Sequence, residues 1–252
     1  MKLNRILAGL LLAAAVGTAC GGVAAGSATT PSPPAPMVKY RNTLGSLTAA
    51  GPIDLVQSIL DFGPGAASVV HTHTAPNLAT VLQGVITVKI PSGDKMATAG
   101  ETLVEPLNQP VQAFNTGTGE AMVAGAFPVP HGDKPTVPVA GQPAPATPNK
   151  TLYTLTLNSA NVNGGYGIVQ QVLDFAPGSQ TPRHRHGGPG VITVIQGQIT
   201  LSRDGAGQTY DTGSSFFELP GQTLQAVNRG GIDAIVVASY LLPDGAQLTT
   251  NV

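Results

Sequence analysis

One block of this sequence occurs twice. Leu60-Asp61-Phe62-Gly63-Pro64-Gly65 returns as Leu173-Asp174-Phe175-Ala176-Pro177-Gly178, an offset of 173 minus 60, or 113 residues, and that offset holds without a gap. Under it Tyr40 meets Tyr153, His71 meets His184, His73 meets His186, Gly84 meets Gly197, Glu105 meets Glu218, Asn115 meets Asn228 and Gly132 meets Gly245. Roughly a third of the positions between Tyr40 and Gly132 match their partners, which at one fixed register means duplication. Residues 37–132 and 151–252 are read as two copies of one domain. The stretch 133–150 between them is rich in proline, which lacks the amide donor that a sheet needs, and is read as a linker that cannot continue a strand.

Within each copy the pattern is strand-like. Val85-Ile86-Thr87-Val88 and Val191-Ile192-Thr193-Val194-Ile195 are dominated by β-branched residues, and glycines punctuate such runs. With 32 Gly and 22 Pro in 252 residues, the chain favours many short strands and turns. An all-β fold built as two small barrels or sandwiches follows. Charged residues make up only 10% and the formal net charge is −1, so no broad field draws the protein toward nucleic acid or anionic lipid.

The first twenty residues differ in character. Lys2 and Arg5 precede an apolar run from Ile6 to Val16, the pattern of an export signal, and that run is too short for a permanent membrane helix. Cys20 is the only cysteine, which rules out an intramolecular disulfide. Its place after Gly17-Thr18-Ala19 resembles a bacterial lipobox, with Gly17 where such motifs usually carry Leu. The resemblance implies lipidation at Cys20, residues 21–36 as a flexible tether, and an extracytoplasmic protein held at the cell envelope, or secreted if the cysteine is removed. Contact with the membrane is then through the lipid anchor only.

The order Pro64-Gly65, His71, His73, Gly84, repeated as Pro177-Gly178, His184, His186, Gly197, resembles the first motif of the cupin family. A degraded second motif follows in Gly100, Glu105-Pro106 and Asn115, and in Gly213, Glu218, Pro220-Gly221 and Asn228. The chain thus looks like a tandem bicupin of the small exported cupin-2 type, and the resemblance implies a double-stranded β-helix, or jelly roll, for each half. It also implies a metal site of two histidines, a Glu four residues on, and a late His. Those last two positions fall on Asn77 and Gly190, and on Val111 and Leu224, so half of each ligand set is replaced.

What remains is still suggestive. Residues two apart on a strand share a face, so His71 with His73, and His184 with His186, can point together into a barrel. Imidazole suits Fe, Mn, Zn, Ni or Cu ions to different degrees, but two imidazoles alone hold an ion weakly. Glu105 and Glu218 could complete the sets if their faces turn inward, and Asn77 offers an amide oxygen where Gly190 offers nothing. The first barrel is therefore expected to be the better metal site. Val111 and Leu224 are expected to line dry pockets suited to an uncharged small molecule. Arg183 and Arg185 alternate with the second pair and should face outward, and His131 beside the linker reads as solvated.

Three functions remain open: a small-molecule binding module of the envelope, a metal-dependent enzyme of oxygenase or decarboxylase type using the His pairs, or a structural protein that assembles into homo-oligomers through its barrel sheets. Without metal, the histidines would be barrel residues satisfied by hydrogen bonds. The chain shows no phosphate loop, nucleophile elbow or cysteine-based site.

Overall fold

The computed structural model describes residues 32–162 and 164–252, and Pro33–Val252 forms one unit. The expected export signal, Cys20 and residues 21–31 of the expected tether lie outside the described residues. The first copy contributes β1 (Met37–Ala49), β2 (Ile53–Phe62), β3 (His71–Thr72), β4 (Leu78–Gln83), β5 (Val85–Lys89), β6 (Lys95–Thr98), β7 (Thr102–Leu103), β8 (Gln112–Asn115), β9 (Ala121–Pro130) and β10 (Val137–Pro138). The second repeats them as β11 (Lys150–Ala160), β12 (Gly164–Phe175), β13 (His184–His186), β14 (Gly190–Gln196), β15 (Gln198–Arg203), β16 (Ala206–Asp211), β17 (Ser215–Glu218), β18 (Leu224–Val227), β19 (Ala234–Pro243) and β20 (Thr249–Asn251). No helix occurs among the described residues. The fold is all-β, with two cupin-like jelly rolls.

The copies are interlocked. β1 does not pair within its own copy but with β12, from Met37 opposite Asp174 to Ala49 opposite Gly164. β11 returns the exchange by pairing with β2, from Lys150 opposite Asp61 to Ala160 opposite Ile53. Two of the three five-stranded sheets among the described residues, those that carry the exchanged strands, are thus ordered β11-β2-β9-β4-β7 and β1-β12-β19-β14-β17. Boundaries at 37–132 and 151–252 separate the repeats in sequence, but each sheet takes its edge strand from the other repeat. β1 still touches its own copy through side chains: Asn42 Nδ2 donates to Thr80 Oγ1 at 3.1 Å.

Alternation along β2 explains why this arrangement holds. Ser58, Leu60 and Phe62 face a cavity inside the first barrel. Ile53, Leu55 and Ile59 face the other way, into a core shared with Ile168, Val172, Val191, Val237 and Leu241 of the second copy. Leu55, Ile59 and Ile168 are fully buried there, each contributing about 1.5–3 kcal/mol. Polar groups on this face are paired too: Gln57 Nε2 donates to Ser239 Oγ at 2.8 Å, and Thr193 Oγ1 donates to Gln57 Oε1. The sheet faces expected to join copies of the chain are here used within one chain.

The linker is not outside the sheets, as its prolines had suggested. Val137–Pro138 pairs with His71–Thr72, as Thr249–Asn251 pairs with His184–His186. The ladder survives because Val139 N–H donates to Val70 O at 2.9 Å and Pro138 occupies a short edge strand, where a missing donor costs little. Val252 N–H donates to Arg183 O in the same way, so the repeat reaches the last residue. At the other end, the expected tether does not run free to residue 36. Pro34 O accepts from Gln180 N–H at 2.9 Å, and Pro36 lines the cavity of the second barrel.

The motif glycines have a direct steric cause. Gly84 and Gly197 adopt φ of 77° and 70°, and a Cβ on either would lie 2.6 or 2.7 Å from a backbone carbonyl oxygen.

Candidate metal centre

His71 in β3 and His73 just after it point to the same side, and both are buried inside the first barrel. The backbone fixes their tautomers. His71 Nδ1 faces Val69 O at 2.8 Å and His73 Nδ1 faces Pro135 O at 2.8 Å, so each Nδ1 carries the proton and donates it. Both Nε2 atoms are left to face inward, 3.2 Å apart. Glu105 completes the group: its Oε2 lies 2.8 Å from His73 Nε2. The three donors all fall within 4.8 Å of one another. Two ligand atoms ~2.1 Å from one ion at right angles would stand about 3.0 Å apart, so this spacing fits a shared ion. The carbonyls on the far side of each ring are the outer contacts that orient ligating imidazoles.

Asn77 is turned opposite to expectation. Its Oδ1 accepts from the Glu105 backbone N–H at 2.9 Å, which leaves the Nδ2 group against the Glu105 carboxylate and 3.5 Å from His73 Nε2. Only an oxygen can meet a backbone N–H, so Asn77 presents a donor, not a ligand atom, to the centre. It holds the carboxylate in place.

Charge follows the same geometry. Burial disfavours a charged His73, but the Glu105 carboxylate outweighs it and raises its pKa above the ordinary imidazole value. On His71, burial and the nearby charge of His73 outweigh the Val69 carbonyl and the Glu105 carboxylate, and its pKa is lowered. Glu105 is pushed up by burial and pulled down further by His73 and Asn77, so it is ionised.

The second barrel repeats this frame. His184 Nδ1 faces Pro182 O and His186 Nδ1 faces Leu248 O, at 2.8 and 2.9 Å; the two Nε2 atoms are 3.2 Å apart. Glu218 Oε2 lies 3.0 Å from His186 Nε2. Gly190 does leave a gap where Asn77 would be, but the gap is filled. Tyr240 enters it and donates its hydroxyl to Glu218 Oε2 at 2.7 Å, 3.3 Å from His186 Nε2. The first copy has Phe127 at that position, stacked on His73. Tyr240 was missed in the sequence, although the constant offset sets it opposite Phe127, just as it sets Gly190 opposite Asn77.

Val111 and Leu224 do not line the cavities. Each pairs across the ladder with His71 or His184 and packs into the apolar core at 1% and 0% exposure. The first cavity measures about 380 Å³ and is walled by Leu60, Phe62, Ile86, Val88 and Phe127 around the His-His-Glu group. The second measures about 220 Å³, and Pro36, Val38 and Phe216 are among its walls. Among the described residues, no Lys or Arg lines either one. Arg183 and Arg185 are exposed on the outside, and His131 is bound to the buried Asp54 at 2.8 Å rather than merely solvated.

Two such barrels, each with a histidine pair converging on a carboxylate inside it, have the architecture of a bicupin. Residues 171–240 match the Cupin_2 family, a cupin domain. Among solved structures, oxalate decarboxylase from Bacillus subtilis at pH 4.6 superposes with a TM-score of 0.59 at 12% identity, over 86% of this chain and 79% of that one. AerE from Microcystis aeruginosa gives 0.54 at 14% identity, over 83% and 98%. The vicilin from Solanum melongena gives 0.58 at 10%, over 82% and 84%. These likenesses establish the fold. No curated protein matches the chain in sequence.

Proposed function

We propose that this protein is an exported, envelope-anchored, metal-dependent cupin whose first barrel is the working site. His71, His73 and Glu105 would hold a divalent transition ion, and the cavity above them would take a small, neutral, largely apolar organic molecule. The observation that carries this reading is the inward turn of Glu105 onto the histidine pair, which supplies the carboxylate that two imidazoles lack. Two imidazoles and one carboxylate are the donor set of non-haem iron oxygenases, and an ion held by His71, His73 and Glu105 would supply oxygen-activating chemistry of that kind.

The chain's own residues do the rest. Val69 and Pro135 carbonyls orient the rings, Asn77 holds the carboxylate, and Leu60, Phe62 and Phe127 exclude water from the bound molecule. Oxalate decarboxylase of Bacillus subtilis has Mn(II) centres, and the Solanum vicilin holds anionic ligands. Among the described residues, no Lys or Arg lines this cavity to receive an anion, which favours a neutral ligand. The same apolar wall supports a second reading, a binding module without turnover.

Metal analysis of protein purified without chelator tests the site: a stoichiometric ion that Glu105→Gln loses supports it, and equal or absent metal in both overturns it. Oxygen uptake by the Fe(II)-loaded protein with small aromatic and aliphatic alcohols then separates catalysis from binding. For the anchor, mass spectrometry should find a lipid on Cys20; a mature N-terminus beyond residue 20 without lipid would contradict it.

A further inference from the structure

We propose that the segment Pro33–Val38 is a movable gate on the second barrel, which swings aside to admit a small apolar, neutral molecule, while the first barrel's larger cavity keeps a fixed mouth. Pro36 and Val38 form part of the wall of the second cavity, and the 113-residue offset sets Asn149 and Thr151 in the same places on the first. The two segments are fastened differently. At the first barrel Ala67 is bonded in both directions: its N–H donates to Thr147 O at 2.9 Å, and its carbonyl accepts from Asn149 N–H at 2.9 Å, with Pro148 bridged alongside. At the second, Gln180 stands in the place of Ala67, and its N–H donates to Pro34 O at 2.9 Å. The return bond is lost, because residue 36 is proline and has no N–H to give the Gln180 carbonyl.

One bond in place of two is worth about tenfold in an opening equilibrium. Burial adds little to hold the segment down: Pro33, Pro34 and Ala35 are exposed and Pro36 is half-buried. Stretches with few buried contacts and exposed backbone bonds are the ones that open first. Prolines at 33, 34 and 36 fix the backbone, so the piece moves as a stiff unit from Met37, where pairing with Asp174 begins, rather than unravelling. The cavity behind it decides what can enter. It measures about 220 Å³ against about 380 Å³ in the first barrel, so it gains more from a wall that can yield. Leu173, Phe175, Ile192 and Phe216 line it, and its polar side chains His186, Glu218 and Tyr240 are already bonded to one another. A polar guest would have to break that buried network, whereas an apolar one about the size of benzene or toluene leaves it intact. The gate is independent of whether the first barrel binds metal.

Two measurements on the full chain test it. Amide hydrogen exchange compares the two fastenings within one molecule. Corrected for intrinsic rates, the Gln180 amide should be about tenfold less protected than the Ala67 amide, and Pro36→Asn, which returns the missing N–H, should bring the two close together. Entry is read separately: Ala238→Cys places a thiol on the wall of the second cavity, and its modification by methyl methanethiosulfonate, a small neutral reagent, is followed by peptide mass spectrometry. Adding Pro36→Asn should slow that reaction about threefold or more, and Pro36→Ala, which restores the N–H without an amide side chain, should do the same. Should Ala238→Cys fold poorly, Ala226→Cys offers a thiol in the same cavity from another strand. Equal protection of the two amides, or a thiol that reacts at one rate with and without the substitution at residue 36, overturns the proposal.

Discussion

A Cβ at Gly190 would lie 2.4 Å from the ring carbons of Tyr240. The missing side chain at residue 190 is thus what leaves room for the ring in this place. Gly190→Ala should force the ring from its place and cost about 1–3 kcal/mol of stability, the usual penalty for overfilling a packed site. Chemical denaturation measures it, and an unaltered midpoint would mean that the ring is free to move aside.

The first barrel predicts a metal dependence of its own. Glu105→Gln keeps the shape but removes the charge, and divalent ion affinity should fall at least tenfold, about 1.4 kcal/mol or more. Imidazole must be neutral to bind, and Glu105 holds the His73 pKa above the ordinary imidazole value, so retention in the wild type should weaken as pH falls through that raised value, beginning above about 6.5. Calorimetric titration of both proteins across that range provides the measurement.

Asp54 offers a pH test away from either centre. Burial would raise its pKa, but the Ser159 and Gly132 N–H groups and the His131 ring outweigh this and lower it. A depressed carboxylate contributes stability that is fully present above the unfolded value of about 3.9 and is lost as pH falls through the folded pKa. Asp54→Asn should therefore destabilise the protein at pH 7 by about 1–3 kcal/mol, with the difference from wild type shrinking below pH 4. A gap constant down to pH 2 would show that charge is not the cause.

The exchange of β1 and β11 predicts how the halves behave apart. A fragment of residues 150–252 keeps β11 without its partner β2 and lacks β1, leaving the β12 edge bare. Unpaired edges recruit other chains, so the fragment should elute as a dimer or larger species on size-exclusion chromatography with light scattering. The whole chain should unfold in one transition. A well-folded monomeric fragment would show that the exchanged strand is dispensable.

The duplication, the strand runs and the histidine pairs could be read from residue order alone, because a constant offset and a two-residue alternation survive in one dimension. The exchanged edge strands could not. Alternation says which face of β1 is apolar, and both copies offer it an equivalent partner. Glu105 was ambiguous for a different reason: it precedes Pro106 in an irregular stretch between β7 and β8, where strand parity says nothing about direction. The orientation of Asn77 depends on a backbone N–H twenty-eight residues away. Tyr240 lay within reach of the offset, but its meaning needed the gap at Gly190, and that gap exists only in three dimensions.

The far ends of the two inner histidines rest on carbonyls that lie beyond the motifs, Pro135 in the linker and Leu248 just before β20. The final residue, Val252, is itself fastened to Arg183, beside His184. A peptide fused directly after Val252 would therefore extend from the strand beside His186, and a polyhistidine tag there would compete for the very ion being sought. Protein for metal work is best made with a cleavable handle placed elsewhere.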